Sequence, residues 1–243
     1  VAGATGDGPD REPTLEPGRE PGRQHRDVLV VVTAGGTGGR LGGVDKVHLP
    51  LTDDGAGPSL LDALVAALPP VPVVVVGPHG VDGRADVGGR TVLVAREDPP
   101  GGGPLAGVAA GLSAGLARGP AAPAGSHAVL VVLAGDQPWA GPVVPRLLAA
   151  LGPGSRSDAA VGVDATGRRQ PLLAAYRLPA VAALLAGHVH DRPARLLLEG
   201  LQVVEVPLAP DEALDVDTPA DLARARTIAR HRPRPPEEPA PGD

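Results

Sequence analysis

The chain contains no Phe, no Met and no Cys, and only one Trp and one Tyr. Without rings to fill it, a core has to be built from Val, Leu and Ala and to rest on many small dispersion contacts. The absence of Cys removes disulfides, thiolate zinc centres, iron–sulfur clusters and thiol nucleophiles together. No apolar run reaches the roughly 18 residues a membrane span needs. The N-terminal stretch is polar and lacks the apolar segment of a secretory signal, so the expected location is cytoplasmic and no membrane partner is expected. Net charge is −6, and no Lys/Arg cluster interleaved with aromatics is present. That combination argues against a nucleic-acid partner, because neutralising a phosphate backbone takes a basic surface. Any phosphate site has to be local.

What is present is a chain of 243 residues, 42% hydrophobic, which fits one α/β domain. Its 35 Gly and 30 Pro fall at the ends and between apolar runs, where they act as punctuation. Residues 1–26 carry no apolar periodicity and predict a disordered tail, as do residues 231–243, which leaves 27–230 as the domain. Within it, β-branched runs alternate with Ala/Leu-rich segments of helical length. This pattern predicts a mostly parallel central sheet covered by helices on both faces. Strands are expected at Val28–Thr33, Val71–Val76, Thr91–Ala95, His127–Leu133, Ala159–Val163, Pro171–Tyr176 and Gln202–Val206. Helices are expected at Leu60–Leu68 behind a Ser59 cap, and at Leu105–Leu116, Pro142–Leu151, Pro179–Leu185, Arg192–Glu199 and Pro219–Arg230.

Three segments carry candidate chemistry. The first runs from Thr33 to Lys46, a Gly-rich loop directly after a buried strand. Glycines let backbone N–H groups approach phosphate oxygens, and Arg40 and Lys46 can neutralise a triphosphate and a departing pyrophosphate. The loop is not a Walker A sequence, and it fits the dinucleotide fingerprint only up to Leu41. A plain flexible loop is the competing reading. The second is Asp136, just beyond the run Ala128–Leu133, at the strand end where open α/β sheets bind ligands. A carboxylate there suits Mg²⁺, which takes few carboxylates plus phosphate oxygens; a turn residue before Pro138 is the alternative. The third is Asp215–Leu222. Thr218 can cap a helix, Pro219 suits its first position and Asp221 its first turn, which leaves Asp217 outside as a second carboxylate for a metal or as part of the cap alone. His188 and His190 lack a third ligand for zinc. No Gly-x-Ser-x-Gly elbow supplies a hydrolase nucleophile. Arg168, Arg169 and Arg195 are candidates for an anionic acceptor or for solvated surface.

In order along the chain, Ala34-Gly-Gly36, Arg40-Leu-Gly42, Gly43-Val-Asp-Lys46, Gly103-Pro-Leu-Ala-Gly107, Asp136-Gln-Pro138, Gln170-Pro-Leu172 and Asp215–Leu222 resemble the molybdenum cofactor guanylyltransferase family of Rossmann-like nucleotidyltransferases. The match spans about Val28 to Arg230. Thr33 stands where the family usually has Leu, Gly38-Gly39 replace a Ser-rich turn, and Gly135 replaces a frequent Cys. None of these removes a charge.

The resemblance implies a three-layer Rossmann-like nucleotidyltransferase fold and transfer of GMP from GTP to molybdopterin cofactor, with Mg²⁺ as cofactor and pyrophosphate released. It assigns Ala34, Gly35, Gly36, Thr37, Gly38, Gly39, Arg40 and Lys46 to the nucleotide, together with Gly103 and either Glu97 or Asp98 for the base. Lys46, Arg40 and Asp136 become the catalytic groups, and Asp136 with Asp217 the metal ligands. GTP and molybdopterin are the implied substrates, with transient contacts to other cofactor-biosynthesis proteins or molybdoenzymes. A cytidylyl or sugar-phosphate nucleotidyltransferase of the same fold, or a non-catalytic nucleotide-binding module, is the rival reading. Gln170 ahead of Pro171 favours the guanylyl branch.

Overall fold

Five of the six residues of Val28–Thr33 (β1) are buried, as a strand covered on both faces requires. The computed structural model describes residues 27–35, 45–77, 83–118 and 128–232. β1 pairs in parallel with Val73–Val76 (β2) on one side and Val129–Ala134 (β5) on the other, Thr33 standing opposite both Val76 and Ala134. Beyond β2 lie Arg90–Ala95 (β4), parallel, and Gly83–Val87 (β3), antiparallel at the edge. Beyond β5 lie Arg169–Arg177 (β7), antiparallel to both neighbours, then Ala159–Val163 (β6) and Val203–Pro207 (β8). The described residues thus form an eight-stranded sheet in the order β3-β4-β2-β1-β5-β7-β6-β8. This is an α/β fold with a mostly parallel sheet.

The two-residue period of β1 divides the core. Val28, Val30 and Val32 face Leu60–Ala66 (α1) and Val144–Ala150 (α3), whereas Leu29 and Val31 face Gly103–Arg118 (α2) and Leu178–Leu185 (α4). Helix α2 lies unusually close to the sheet because Gly107, Gly111 and Gly115 recur every four residues on its inner face. A Cβ on Gly111 would stand 2.5 Å from Val31 Cγ1, and one on Gly115 2.5 Å from Leu29 Cδ2. A third, smaller cluster joins Leu51, Leu60, Trp139, Leu214 and Val216 to Ala225 of Pro219–His231 (α5).

Two half-buried arginines close the ends of α1 and α3. Arg90 donates to the carbonyls of Val65, Leu68 and Val71, and Arg177 to those of Leu151, Ser155 and Ser157. Ser59 caps α1 in a reciprocal box with Asp62, which also accepts the N–H of Gly88.

Several expectations are corrected. The edge strand β3 was not anticipated, since Gly83-Arg-Ala-Asp-Val87 is short and alternates charged residues with mostly small ones, leaving Val87 as its one β-branched residue. The helix expected over Arg192–Glu199 is a short 3₁₀ segment, Ala194–Leu198, entered from an extended Pro193. The segment Pro142–Leu151 starts with a 3₁₀ turn, Gly141–Val143, before α3. Helix α5 runs through His231, and residues 1–26 and 233–243 lie outside the described residues.

Candidate active site

β1 and β5 both end at one crevice, because the chain runs outward from β1 through β2 and returns through α2 to β5 on its other side. Gly135 donates its N–H to Thr33 O at 2.9 Å, which sets Ala34–Gly35 beside Gly135–Asp136. Only a small residue fits at 135 without displacement, since a Cβ would stand 3.2 Å from Val47 Cγ1 and 3.3 Å from Thr33 O.

Lys46 opens a single 3₁₀ turn, Lys46–His48, anchored by the buried Val47. Its ammonium lies 2.5 Å from Asp136 Oδ2 and 2.7 Å from Asp217 Oδ1. The Lys46 and Asp136 side chains are 15% and 17% exposed and that of Asp217 is 49% exposed, so the ion pair is largely covered on the Asp136 side and open to solvent on the Asp217 side. Burial disfavours the charge on Lys46, but the Asp136 and Asp217 carboxylates outweigh it and hold its pKa above the ordinary lysine value.

Asp217 is placed by the start of α5. Thr218 and Asp221 form a reciprocal capping box, with Pro219 at the first helical position. The preceding Val216 is fully buried and donates its N–H to Asp136 O. Asp215 lies on the same side of this extended segment. Burial, then the neighbouring Asp136 carboxylate, pushes its pKa up to about 6, while a hydrogen bond from the Gln137 side chain pulls it down. Gln137 is 2% exposed. Three buried polar atoms in this turn have no hydrogen-bond partner among the described residues: Asp136 Oδ1, Gln137 Oε1 and Trp139 Nε1. Trp139 is itself capped by the Arg232 guanidinium, 4.3 Å above its ring.

Across the cleft, Glu97 accepts the N–H of Gly102 at 2.8 Å. Its carboxylate stands between Gly35 and Gly107, so that a Cβ on either would meet Glu97 Oε1, at 3.6 and 3.0 Å respectively. The Gly101–Gly103 turn beside it is held by the Asp191 N–H, which bonds Gly102 O at 2.8 Å, and Gly103 adopts φ +84° to start α2. Arg96, Glu97 and Asp98 line a cavity of about 360 Å³ together with Ala106, Ala110 and Ser113 of α2.

With this geometry in place, the MobA-like NTP transferase domain matches residues 30–205. The chain belongs to that family. Its nucleotidyltransferase character follows from that membership, and solved structures share the fold. The molybdopterin-guanine dinucleotide biosynthesis protein A of Archaeoglobus fulgidus aligns at TM-score 0.57 and 24% identity, over 83% of this chain and 98% of that one. A Rv0371c homologue from Mycobacterium sp. strain JC1 aligns at 0.60 and 25% identity, over 85% and 98%. The 2-C-methyl-D-erythritol 4-phosphate cytidylyltransferase of Francisella tularensis aligns at 0.57 and 15% identity, over 83% and 99%. No curated protein matches the chain in sequence.

In this MobA-like domain, Lys46, Asp136 and Asp217 meet directly, Ala34 and Gly35 lie beside Gly135 and Glu97, and Glu97 holds the turn that leads to Gly103, although 183 positions separate Ala34 from Asp217. Gly36, Thr37, Gly38, Gly39 and Arg40 fall outside the described residues. Asp217 lies beyond the stretch that the family matches. Arg169 is paired with Glu205 at 2.8 Å on the far strands. His190 packs against Gly102 rather than joining a metal cluster, and no group of three or more His, Asp or Glu is arranged to hold a metal among the described residues. Gln137 and Asp215 are the residues that sequence reasoning passed over. The signal for Asp215 was its position two residues before Asp217 in an extended segment, which puts both side chains on one side.

No described helix is long and apolar enough to cross a membrane.

Proposed function

We propose that this domain transfers GMP from GTP to the terminal phosphate of molybdopterin cofactor and releases pyrophosphate. The observation that carries the reading is the contact of Lys46 with both Asp136 and Asp217 at the carboxyl ends of the central strands. Three residues from three separate family-like motifs meet at one point.

The residues present fit Mg²⁺. Asp136 offers a buried oxygen with no partner among the described residues, and Asp217 a second, more exposed carboxylate facing the same ammonium. Mg²⁺ commonly takes one or two carboxylates and completes its shell with water and phosphate oxygens, so a third protein ligand is not required. When bound, Mg²⁺ would offset the negative charge of the reacting phosphates. Asp136 and Asp217 would hold it.

The chain's own groups then have separable tasks. The acceptor phosphate oxygen forms a bond to the α-phosphorus of GTP while the bond to the bridging oxygen breaks, and pyrophosphate leaves with that electron pair. No covalent intermediate on the protein is needed. Lys46 and Arg40 offset charge on the triphosphate, and backbone amides of Ala34–Gly39 hold its oxygens. Of the two acidic candidates for the base, Glu97 is the one set between Gly35 and Gly107, and we assign it to the guanine N1–H and exocyclic amine. Gly103, at the start of α2, would let the chain approach the nucleotide closely. The Gln170-Pro171 pair supports this acceptor and base over the cytidylyl alternative, which shares the fold. The domain limits 27–230, a cytoplasmic site of action and transient contact with other proteins that handle the cofactor belong to the same proposal.

Calorimetry with GTP, CTP, ATP and UTP, each with and without Mg²⁺, tests it. Metal-dependent binding selective for GTP, followed by pyrophosphate release on adding molybdopterin, is expected. Selectivity for CTP would reassign the base, and binding of none of the four would reject catalysis by this fold.

A further inference from the structure

Lys46 is the only lysine in the chain; every other cationic side chain apart from histidine is an arginine. Its ammonium sits between Asp136 and Asp217, where a divalent cation held by both carboxylates would sit. Asp215 adds a third acidic group to the same cluster. An ammonium is a compact point charge with three donors, close in shape to a small cation; a planar guanidinium is not.

We infer that Lys46 is a removable stand-in for the divalent cation, so that metal without nucleotide has to compete with it. The inference rests on assigning Asp136 and Asp217 to that cation. In the nucleotide-free protein the ammonium offsets one of the pair's two negative charges and lowers its attraction for a free ion. A triphosphate offers Lys46 another set of anionic partners. Once the ammonium turns to the phosphates, the two carboxylates are free for the cation that arrives with the nucleotide. One side chain then makes metal occupancy conditional on substrate, and the cleft avoids holding an idle ion that would bind pyrophosphate unproductively. Val216 N–H to Asp136 O keeps the two acidic loops at fixed spacing while this exchange occurs.

The test is Mn²⁺ binding to the full chain without nucleotide, followed by electron paramagnetic resonance of the free ion. Lys46→Met and Lys46→Gln should bind Mn²⁺ at least about tenfold more tightly than the parent protein, because one neutralising charge is gone from contact distance. Adding Asp217→Asn to Lys46→Met should abolish the gain. Unchanged, weaker or undetectable Mn²⁺ binding by both single variants overturns the inference. Should the variants fail to fold, the parent protein supplies the second measurement. Mg²⁺ without nucleotide should speed acetylation of Lys46 by acetic anhydride, resolved from the amino terminus by peptide mass spectrometry, because the ion frees the amine. Equal or slower acetylation overturns the inference too. Absence of GTP binding by the parent protein would strike the guanylyltransferase reading while leaving the Mn²⁺ comparison intact. Unchanged Mn²⁺ affinity in variants of a protein that does bind GTP would strike the stand-in role alone.

Discussion

Val216 donates its backbone N–H to the carbonyl of Asp136 across 3.1 Å, joining the loop after β5 to the segment that enters α5. Eighty positions apart in the chain, the two acidic loops therefore hold a common register, and Asp217 faces the same ammonium as Asp136. Removing either carboxylate should harm catalysis without unfolding the protein. Asp136→Asn should lower the rate of pyrophosphate release by about a hundredfold or more, as loss of a carboxylate that would hold the charge-offsetting metal ion does. Its thermal midpoint should stay close to that of the parent. A folded Asp136→Asn protein with undiminished turnover would remove Asp136 from the mechanism.

Glu97→Gln keeps an oxygen able to accept the Gly102 N–H and changes only the charge and one acceptor. GTP affinity should fall by roughly tenfold to a hundredfold, the range for loss of a charge-assisted hydrogen bond, while the weak affinity for CTP changes little. Asp98→Asn should leave the GTP to CTP ratio as it was. Calorimetry on both variants checks the assignment, and the reverse pattern would transfer the role to Asp98.

Gly111→Ala should destabilise the fold by about 1–3 kcal/mol, the usual cost of forcing extra volume into a packed interface. The new methyl would stand 2.5 Å from Val31 Cγ1 and 2.9 Å from Val76 Cγ2. Ser113→Ala, on the exposed side of the same helix, should stay within about 0.5 kcal/mol. Urea unfolding followed by circular dichroism separates the two.

Asp215 has a pKa of about 6, raised above that of an unfolded aspartate by burial and by Asp136. Between roughly pH 4 and pH 6 the folded protein therefore binds more protons than the unfolded chain, so this residue lowers stability as pH rises through that window. The cost is absent below it and complete above it. Asp215→Asn should raise stability at pH 8 by on the order of 1–2 kcal/mol, allowing for partial solvent screening, and the difference should vanish near pH 4. Thermal melts of both proteins without metal across this range give the answer; a gain that persists at pH 4 would point to packing instead of charge.

Much of the fold was legible because its strands are apolar on both faces. Val28-Leu-Val-Val-Val-Thr33 and Val129-Leu-Val-Val-Leu-Ala134 can only be central strands, and the Gly-rich or acidic residue that follows each marks the crevice. The Thr218–Asp221 box was equally readable, since capping is local chemistry. β3 was not, because an edge strand with one partner can be made of Arg, Ala and Asp. At the site, sequence order marked Lys46, Asp136 and Asp217 but not how they meet. That Lys46 spans both carboxylates, and that Gln137 reaches Asp215, depends on contacts across many positions which no local pattern encodes. The place of Glu97 between Gly35 and Gly107, on which its proposed role rests, is likewise a contact between distant positions.

Trp139 is the only tryptophan, three positions past Asp136 and roofed by the Arg232 guanidinium. The protein thus carries a built-in optical reporter. With a single Tyr and no Phe elsewhere, emission excited at long ultraviolet wavelength originates from this one indole, sealed between the acidic turn and the last helix. Unlabelled protein can be titrated with metal or nucleotide, and loosening of the last helix can be watched as a colour shift, without introducing any dye.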